Sequence, residues 1–119
     1  MSVLVVLACC AAGCGSSSSG SPAATKKASA PHTGDVKVVM QTLAFVPDSV
    51  HAGVGQTVVW KNEDNVLHNV VYVSGPKFRS SRPRMRNGTT FSVKLTQPGT
   101  IHYLCSIHPW MKGTVVVSP

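Results

Sequence analysis

From Gly34 to the end of the chain, every apolar run is short, rich in valine and aromatic residues, and closed within about a dozen residues by Gly, Pro, Asn or Asp. Such a chain has no stretch long enough for a packed amphipathic helix, and it must bury its apolar faces between sheets. Val36 to Met40 reads as the first strand. Leu43 to Val50 carries Phe45 and Pro47 and reads as an edge or bent segment, because proline cannot donate to a ladder. Gly53-Val54-Gly55-Gln56 turns the chain into the strand Thr57 to Asn62, whose Trp60 belongs in the core. Glu63-Asp64-Asn65 is a turn, and Val66 to Val73 is expected as the next strand. From Thr89 to Leu95, Phe91, Val93 and Leu95 alternate with Thr90, Ser92 and Lys94, which marks one buried and one wet face. Gln97-Pro98-Gly99 leads into a strand that runs toward Cys105, and Gly113 to Val117 closes the chain. The expected fold is all-β, a Greek-key β-sandwich of about seven or eight strands.

The chain of 119 residues allows one compact domain, and its composition is uneven. Ser2 to Ala12 is an apolar run of the length found in export signals, too short to span a bilayer. Ala11-Ala12-Gly13-Cys14 resembles the lipobox of bacterial lipoproteins, with Val6-Leu7-Ala8-Cys9 as a competing match, and simple cleavage of a secretory signal is the alternative. Residues 15–33 hold Ser, Gly, Ala, Pro and Lys with nothing large to bury and read as a flexible tether. Residues 34–119 are then the domain, placed outside the cytoplasm, in the periplasm or at the outer membrane face. Because Cys9, Cys10 and Cys14 all precede it, the domain holds only Cys105 and forms no internal disulfide.

Eleven Lys and Arg against four Asp and Glu give a net charge of +7, a surface suited to anionic partners. Nucleic acid is not expected: there is no recognition-helix pattern, no zinc-finger spacing and no aromatic stacking set.

Cys105, His108 and Met111 stand at i, i+3 and i+6. A thiolate, an imidazole and a thioether suit copper better than zinc, which seldom takes a thioether, or calcium and magnesium, which want oxygen. A fourth donor has to come from elsewhere. His68 begins the expected strand after the Asn65 turn, where an isolated histidine is more often a polar surface residue than a ligand.

Several motifs in order change that balance. Val58-Val59-Trp60-Lys61-Asn62, His68-Asn69-Val70, Gly99-Thr100 leading to Cys105-x-x-His108-Pro109-Trp110-Met111-Lys112-Gly113, and the closing Val115-Val116-Val117 together resemble the cupredoxins, the small blue copper proteins, most closely their amicyanin and plastocyanin branch. The resemblance implies one copper ion held by His68, Cys105 and His108, with Met111 as a long axial ligand. It implies electron transfer between redox proteins, and no enzymatic activity; copper storage or delivery is the alternative. Copper oxidases and nitrite reductases need further histidines, and only His32, His51 and His102 remain, scattered along the chain. The same resemblance gives Asn69 the role of tying the two ligand-bearing segments together, against the plainer reading of an ordinary strand residue. Pro109 lacks an amide hydrogen and so removes one donor to the thiolate sulfur. Leu67 stands where the family has proline.

His108 is expected near the surface among Leu67, Pro109 and Trp110, where a partner can approach the metal. Trp110 either docks that partner or folds back over the core. Lys77, Arg79, Arg82, Arg84 and Arg86 fill one short loop. It is either a solvated surface, a steering site for an acidic redox partner, or a contact with anionic lipid beside the anchor. By strand parity Ile101 and Tyr103 point with Cys105 and His102 points away. Met40 is read as core and Met85 as loop. A monomer is expected.

Overall fold

The computed structural model describes residues 32–119, so the expected export signal, including Cys9 and Cys14, and all but the last two residues of the tether lie outside the described residues. Eight strands follow one another: β1 (Asp35–Gln41), β2 (Ala44–Val46), β3 (Ser49–Gly53), β4 (Thr57–Asn62), β5 (Val71–Ser74), β6 (Thr90–Lys94), β7 (Gly99–Leu104) and β8 (Lys112–Ser118). There is no helix among the described residues. One sheet has the order β2-β1-β4-β6 and the other β3-β8-β7-β5. The pairs β1/β4 and β3/β8 are parallel and the rest antiparallel. This is the all-β sandwich that the strand pattern predicts.

The bent segment around Pro47 proves to be where the chain changes sheets. β2 is the edge of the first sheet and β3 the edge of the second. Pro47 lies between them, outside both ladders, where its missing N–H leaves no gap. The β1–β2 connection is a tight turn in which Thr42 and Leu43 have φ of 51° and 58°. The left-handed region costs a residue with a Cβ on the order of 1–2 kcal/mol, so other contacts must hold this turn.

The expected strand from Val66 to Val73 needs correction. Only Val71–Ser74 enters a ladder, and His68 makes an isolated bridge with Met85. Residues 68–70 bond instead to the loop that follows β5. His68 and Met85 exchange backbone bonds at 3.2 and 2.8 Å, Val70 N–H donates to Ser81 Oγ at 2.8 Å, and Ser81 N–H donates to Val70 O at 2.9 Å. With these partners the backbone is satisfied without a neighbouring strand.

Between the sheets lie Val38, Met40, Val58, Trp60, Tyr103 and Val115, all essentially without solvent contact. Trp60 is the centre of an aromatic cluster, with ring centroids 5.3 Å from Tyr103, 5.7 Å from Phe91 and 6.1 Å from Phe78. Phe78 and Met85 belong to the basic loop yet are buried, so Met85 is core rather than a loop surface residue. Burying each side chain contributes about 1.5–3 kcal/mol, and the two pin the charged loop to the sandwich at both ends. On β8, Gly113 pairs with Tyr103 across the ladder, and a Cβ there would collide with the tyrosine ring. The ring therefore fills the space that a larger residue would take.

Trp60 Nε1 and the Tyr103 hydroxyl are both buried and neither completes a hydrogen bond. Burial dominates over the weak help of the nearby indole N–H and pushes the Tyr103 hydroxyl up from 10.0 to about 12. The unfolded chain releases this proton near 10.0, while the folded chain keeps it to about 12. The stabilisation is therefore complete below 10.0 and drains away as pH rises to about 12. Over that window urea unfolding should show wild type losing roughly 2–3 kcal/mol relative to Tyr103→Phe, which has no proton to release. Parallel curves for the two proteins would contradict this burial of the hydroxyl.

Candidate metal centre

β7 delivers Cys105 to one end of the sandwich. Ile101 and Tyr103 point into the core, and His102 is exposed beside Thr114 Oγ1 at 3.3 Å. The loop from Cys105 to Met111 closes on itself: Cys105 N–H donates to Met111 O at 3.0 Å, and Met111 N–H to His108 O at 2.8 Å. The second bond makes residues 108–111 a β-turn with Pro109 at its second position, where the fixed φ of proline fits. The loop thus has little freedom at its base and at its tip.

Three donor atoms converge here. Cys105 Sγ lies 3.8 Å from His68 Nδ1 and 3.9 Å from His108 Nδ1, and the two nitrogens are 3.2 Å apart. A point equidistant from all three lies about 2.1 Å from each, inside the roughly 2.0–2.3 Å range of metal–nitrogen and metal–sulfur bonds. The arrangement therefore fits a single ion without moving a ring. The donor chemistry, two imidazoles and a thiolate, is that of a copper site of the His₂Cys trigonal kind. Met111 is buried at the closing end of the same loop. Cys105 and His68 have no solvent exposure, whereas His108 is half-buried and is the side of the site that reaches the surface.

His68 and the segment that carries Cys105 are held from behind. Asn69 Oδ1 accepts the Ser106 amide at 2.8 Å, and Asn69 Nδ2 donates to Ser106 Oγ at 2.8 Å and to Pro83 O at 3.1 Å. One buried side chain thereby joins the His68 segment, the ligand loop and the basic loop. His68 Nε2 faces Asp64 Oδ2 at 2.7 Å. When neutral, His68 carries its hydrogen on Nε2 and turns an unprotonated Nδ1 toward Cys105 and His108. Burial raises the Asp64 carboxyl, but hydrogen bonds from the Leu43 amide, His68 and the Thr42 amide outweigh it and hold the group below its ordinary 3.8. Neither Asp64 nor Ser106 stood out in the sequence, where Asp64 read only as a turn residue. A carboxylate four residues before a candidate ligand is the one signal that points to it.

Around this end, Leu67 is half-buried and Pro109 and Trp110 are exposed. Trp110 is 65% exposed, with its ring centroid 5.3 Å from that of His108, so it does not fold over the core. Val66 and Ile107 add exposed apolar surface near His68 and His108. Lys77, Arg79, Arg82, Arg84 and Arg86 are all exposed, and among the described residues none pairs with an acid.

The fold and this donor set define a small copper protein. The chain belongs to the plastocyanin/azurin family of copper binding proteins, whose family model matches residues 32–118. It is 38% identical over 86 residues to amicyanin-alpha of Methylorubrum extorquens, covering 71% of this chain and 72% of that one. Among solved structures, a Cu(I) amicyanin mutant superposes with a TM-score of 0.65 at 31% identity, over 72% of this chain and 84% of that chain. A copper-containing nitrite reductase from Thermus scotoductus matches with a TM-score of 0.66 at 33% identity, over 71% of this chain and 22% of the longer reductase.

Removing the Asn69 side chain strips the Ser106 amide and Pro83 carbonyl of their partner. Three lost bonds of about 0.5–1.5 kcal/mol each make Asn69→Ala roughly 1.5–4.5 kcal/mol less stable in urea unfolding of the copper-free protein. A loss confined to a few tenths would mean that water replaces the amide fully.

Proposed function

We propose that this chain is an electron carrier that would hold one copper ion between His68, Cys105 and His108, with Met111 as a fourth donor, and exchanges single electrons with redox proteins outside the cytoplasm. The observation that carries this reading is the triangle of two imidazole nitrogens and one thiol sulfur, sized for one ion and closed to solvent except at His108. Copper supplies the one-electron chemistry by cycling between Cu(I) and Cu(II). The residues of the chain supply a frame that changes little. Asn69 and the closed 105–111 loop keep the donors in place, and Trp60, Tyr103 and their neighbours make the end of the sandwich stiff.

This is a carrier rather than an enzyme. Its membership of the plastocyanin/azurin family, with amicyanin and plastocyanin relatives, supports that reading. Storage or delivery of copper needs an ion that exchanges easily. Two fully buried donors on a cross-braced frame support tight retention instead.

Docking follows from the surface. Half-buried His108, with exposed Pro109, Trp110 and Ile107 and half-buried Leu67, offers an apolar contact at which a partner comes within electron-transfer distance. The five cations from Lys77 to Arg86 flank it, because Asn69 ties Pro83 to the ligand loop. We read them as a steering patch for an acidic redox partner. The apolar run at 2–12 and the lipobox-like Cys14, with Cys9 as the competing match, support a lipid anchor and a tether that keep a monomeric domain at the outer face of a membrane.

Loading with Cu(II) should give an intensely blue protein, and Cys105→Ser should abolish the colour; a colourless wild-type protein would sink the assignment. Reversing Arg82, Arg84 and Arg86 to Glu should slow stopped-flow reduction by an acidic partner about tenfold or more at low salt. The difference should shrink as salt rises. A rate indifferent to both changes would remove the steering role.

A further inference from the structure

We propose that Asp64 is a positioning residue of the copper site, through which the β1–β2 hairpin sets the reduction potential. The proposal rests on the reading of His68 as a copper ligand.

One carboxylate serves two clients. Asp64 Oδ1 accepts the Thr42 amide at 2.7 Å, and Oδ2 accepts the Leu43 amide at 3.0 Å and meets His68 Nε2 at 2.7 Å. The left-handed φ angles of Thr42 and Leu43 aim two successive N–H groups at one side, a concavity that binds anions. Neither threonine nor leucine favours that conformation, which Asn-Gly would adopt readily. The carboxylate therefore holds the turn, beside the Thr42 hydroxyl, which donates to Gln41 O at 2.7 Å. The carboxylate is itself fixed: Asp64 N–H donates to Asn62 Oδ1 at 2.8 Å, and Asn87 Nδ2 donates to Asp64 O at 3.1 Å. Fully buried Asn62 in turn donates to Val66 O and Met85 O, each at 2.8 Å.

The electronic consequence is directional. A carboxylate accepting the Nε2 hydrogen pushes electron density through the ring onto Nδ1, the atom that faces Cys105 and His108. A stronger donor favours the more positive oxidation state of the metal, so Asp64 lowers the potential. The two turn amides draw off part of the carboxylate charge, so the hairpin moderates the same effect. A hydrogen bond that served folding alone would leave the potential where it was.

The test uses the copper-loaded full chain. Asp64→Asn keeps size and an acceptor and removes the charge. It should remain blue while its equilibrium constant for reduction by a fixed mediator rises about tenfold, which is about 59 mV for one electron. Asp64→Glu, which keeps the charge, should lie nearer wild type than Asp64→Asn does. A blue Asp64→Asn protein with the wild-type potential overturns the proposal, whatever happens to its unfolding midpoint. If that variant does not fold, Asp64→Ser, which is smaller and keeps an uncharged hydroxyl acceptor, decides by the same measurement. A potential raised above wild type supports the proposal, and an unchanged one overturns it. A colourless wild-type protein would be a different failure, that of His68 as a ligand.

Discussion

Asn69 reaches a loop 37 residues away, and most of what this end of the molecule does depends on that reach. Cys105 and His108 stand on one loop, with Met111 buried at its closing end, but His68 stands on a segment that belongs to no strand. A segment without a ladder would ordinarily drift relative to its neighbours. The paired contact of one amide side chain with the amide and hydroxyl of Ser106 fixes the distance between the two halves. Because Asn69 is almost fully buried, water does not compete well for the bonds its amide makes.

The same buried knot explains why the basic loop is not a floppy appendage. Phe78 anchors it on Trp60, Met85 anchors it under His68, and Pro83 is held by Asn69. Between those fixed points the side chains of Arg79, Arg82 and Arg84 project into solvent from a constrained backbone. A charge field presented from a constrained frame is directional. The same charges on a mobile loop would average over orientations and steer less well.

What the sequence made legible follows from how local the cause is. Thr57 to Asn62 and the alternation from Thr90 to Leu95 are strands because their own side-chain period requires it, and the structure has both. The bend at Pro47 is equally local. Val66 to Val70 misled, since its residues look like a strand while its partners are Ser81 and Met85, whose proximity no periodicity announces. Met85 looked like part of a polar loop because the charges around it dominate the local composition. Cys105, His108 and Met111 could be picked out by spacing and donor chemistry, whereas His68 became a candidate only through the order of several motifs. Asp64 offered only its spacing of four from His68, because its contacts at Thr42 and Leu43 lie more than twenty residues back and depend on an unusual backbone conformation there.

A carrier must find partners quickly and leave them quickly, and those demands pull a surface in opposite directions. Strong, specific contacts at the metal edge would lengthen each encounter and slow turnover. The proposed carrier separates the two tasks in space. As the proposed steering patch, the cations of the 77–86 loop would act over distances of about a Debye length, raising the encounter rate and contributing little to holding on. In the same proposal the contact itself would fall to His108, Ile107 and Trp110, whose small apolar area suits weak, short-lived adhesion. Exposing a tryptophan at 65% forgoes burial energy that the core could have used. That loss is tolerable because Trp60, Tyr103, Phe91 and Phe78 already fill the interior, and Trp110 is free to serve the one half-open donor of the site.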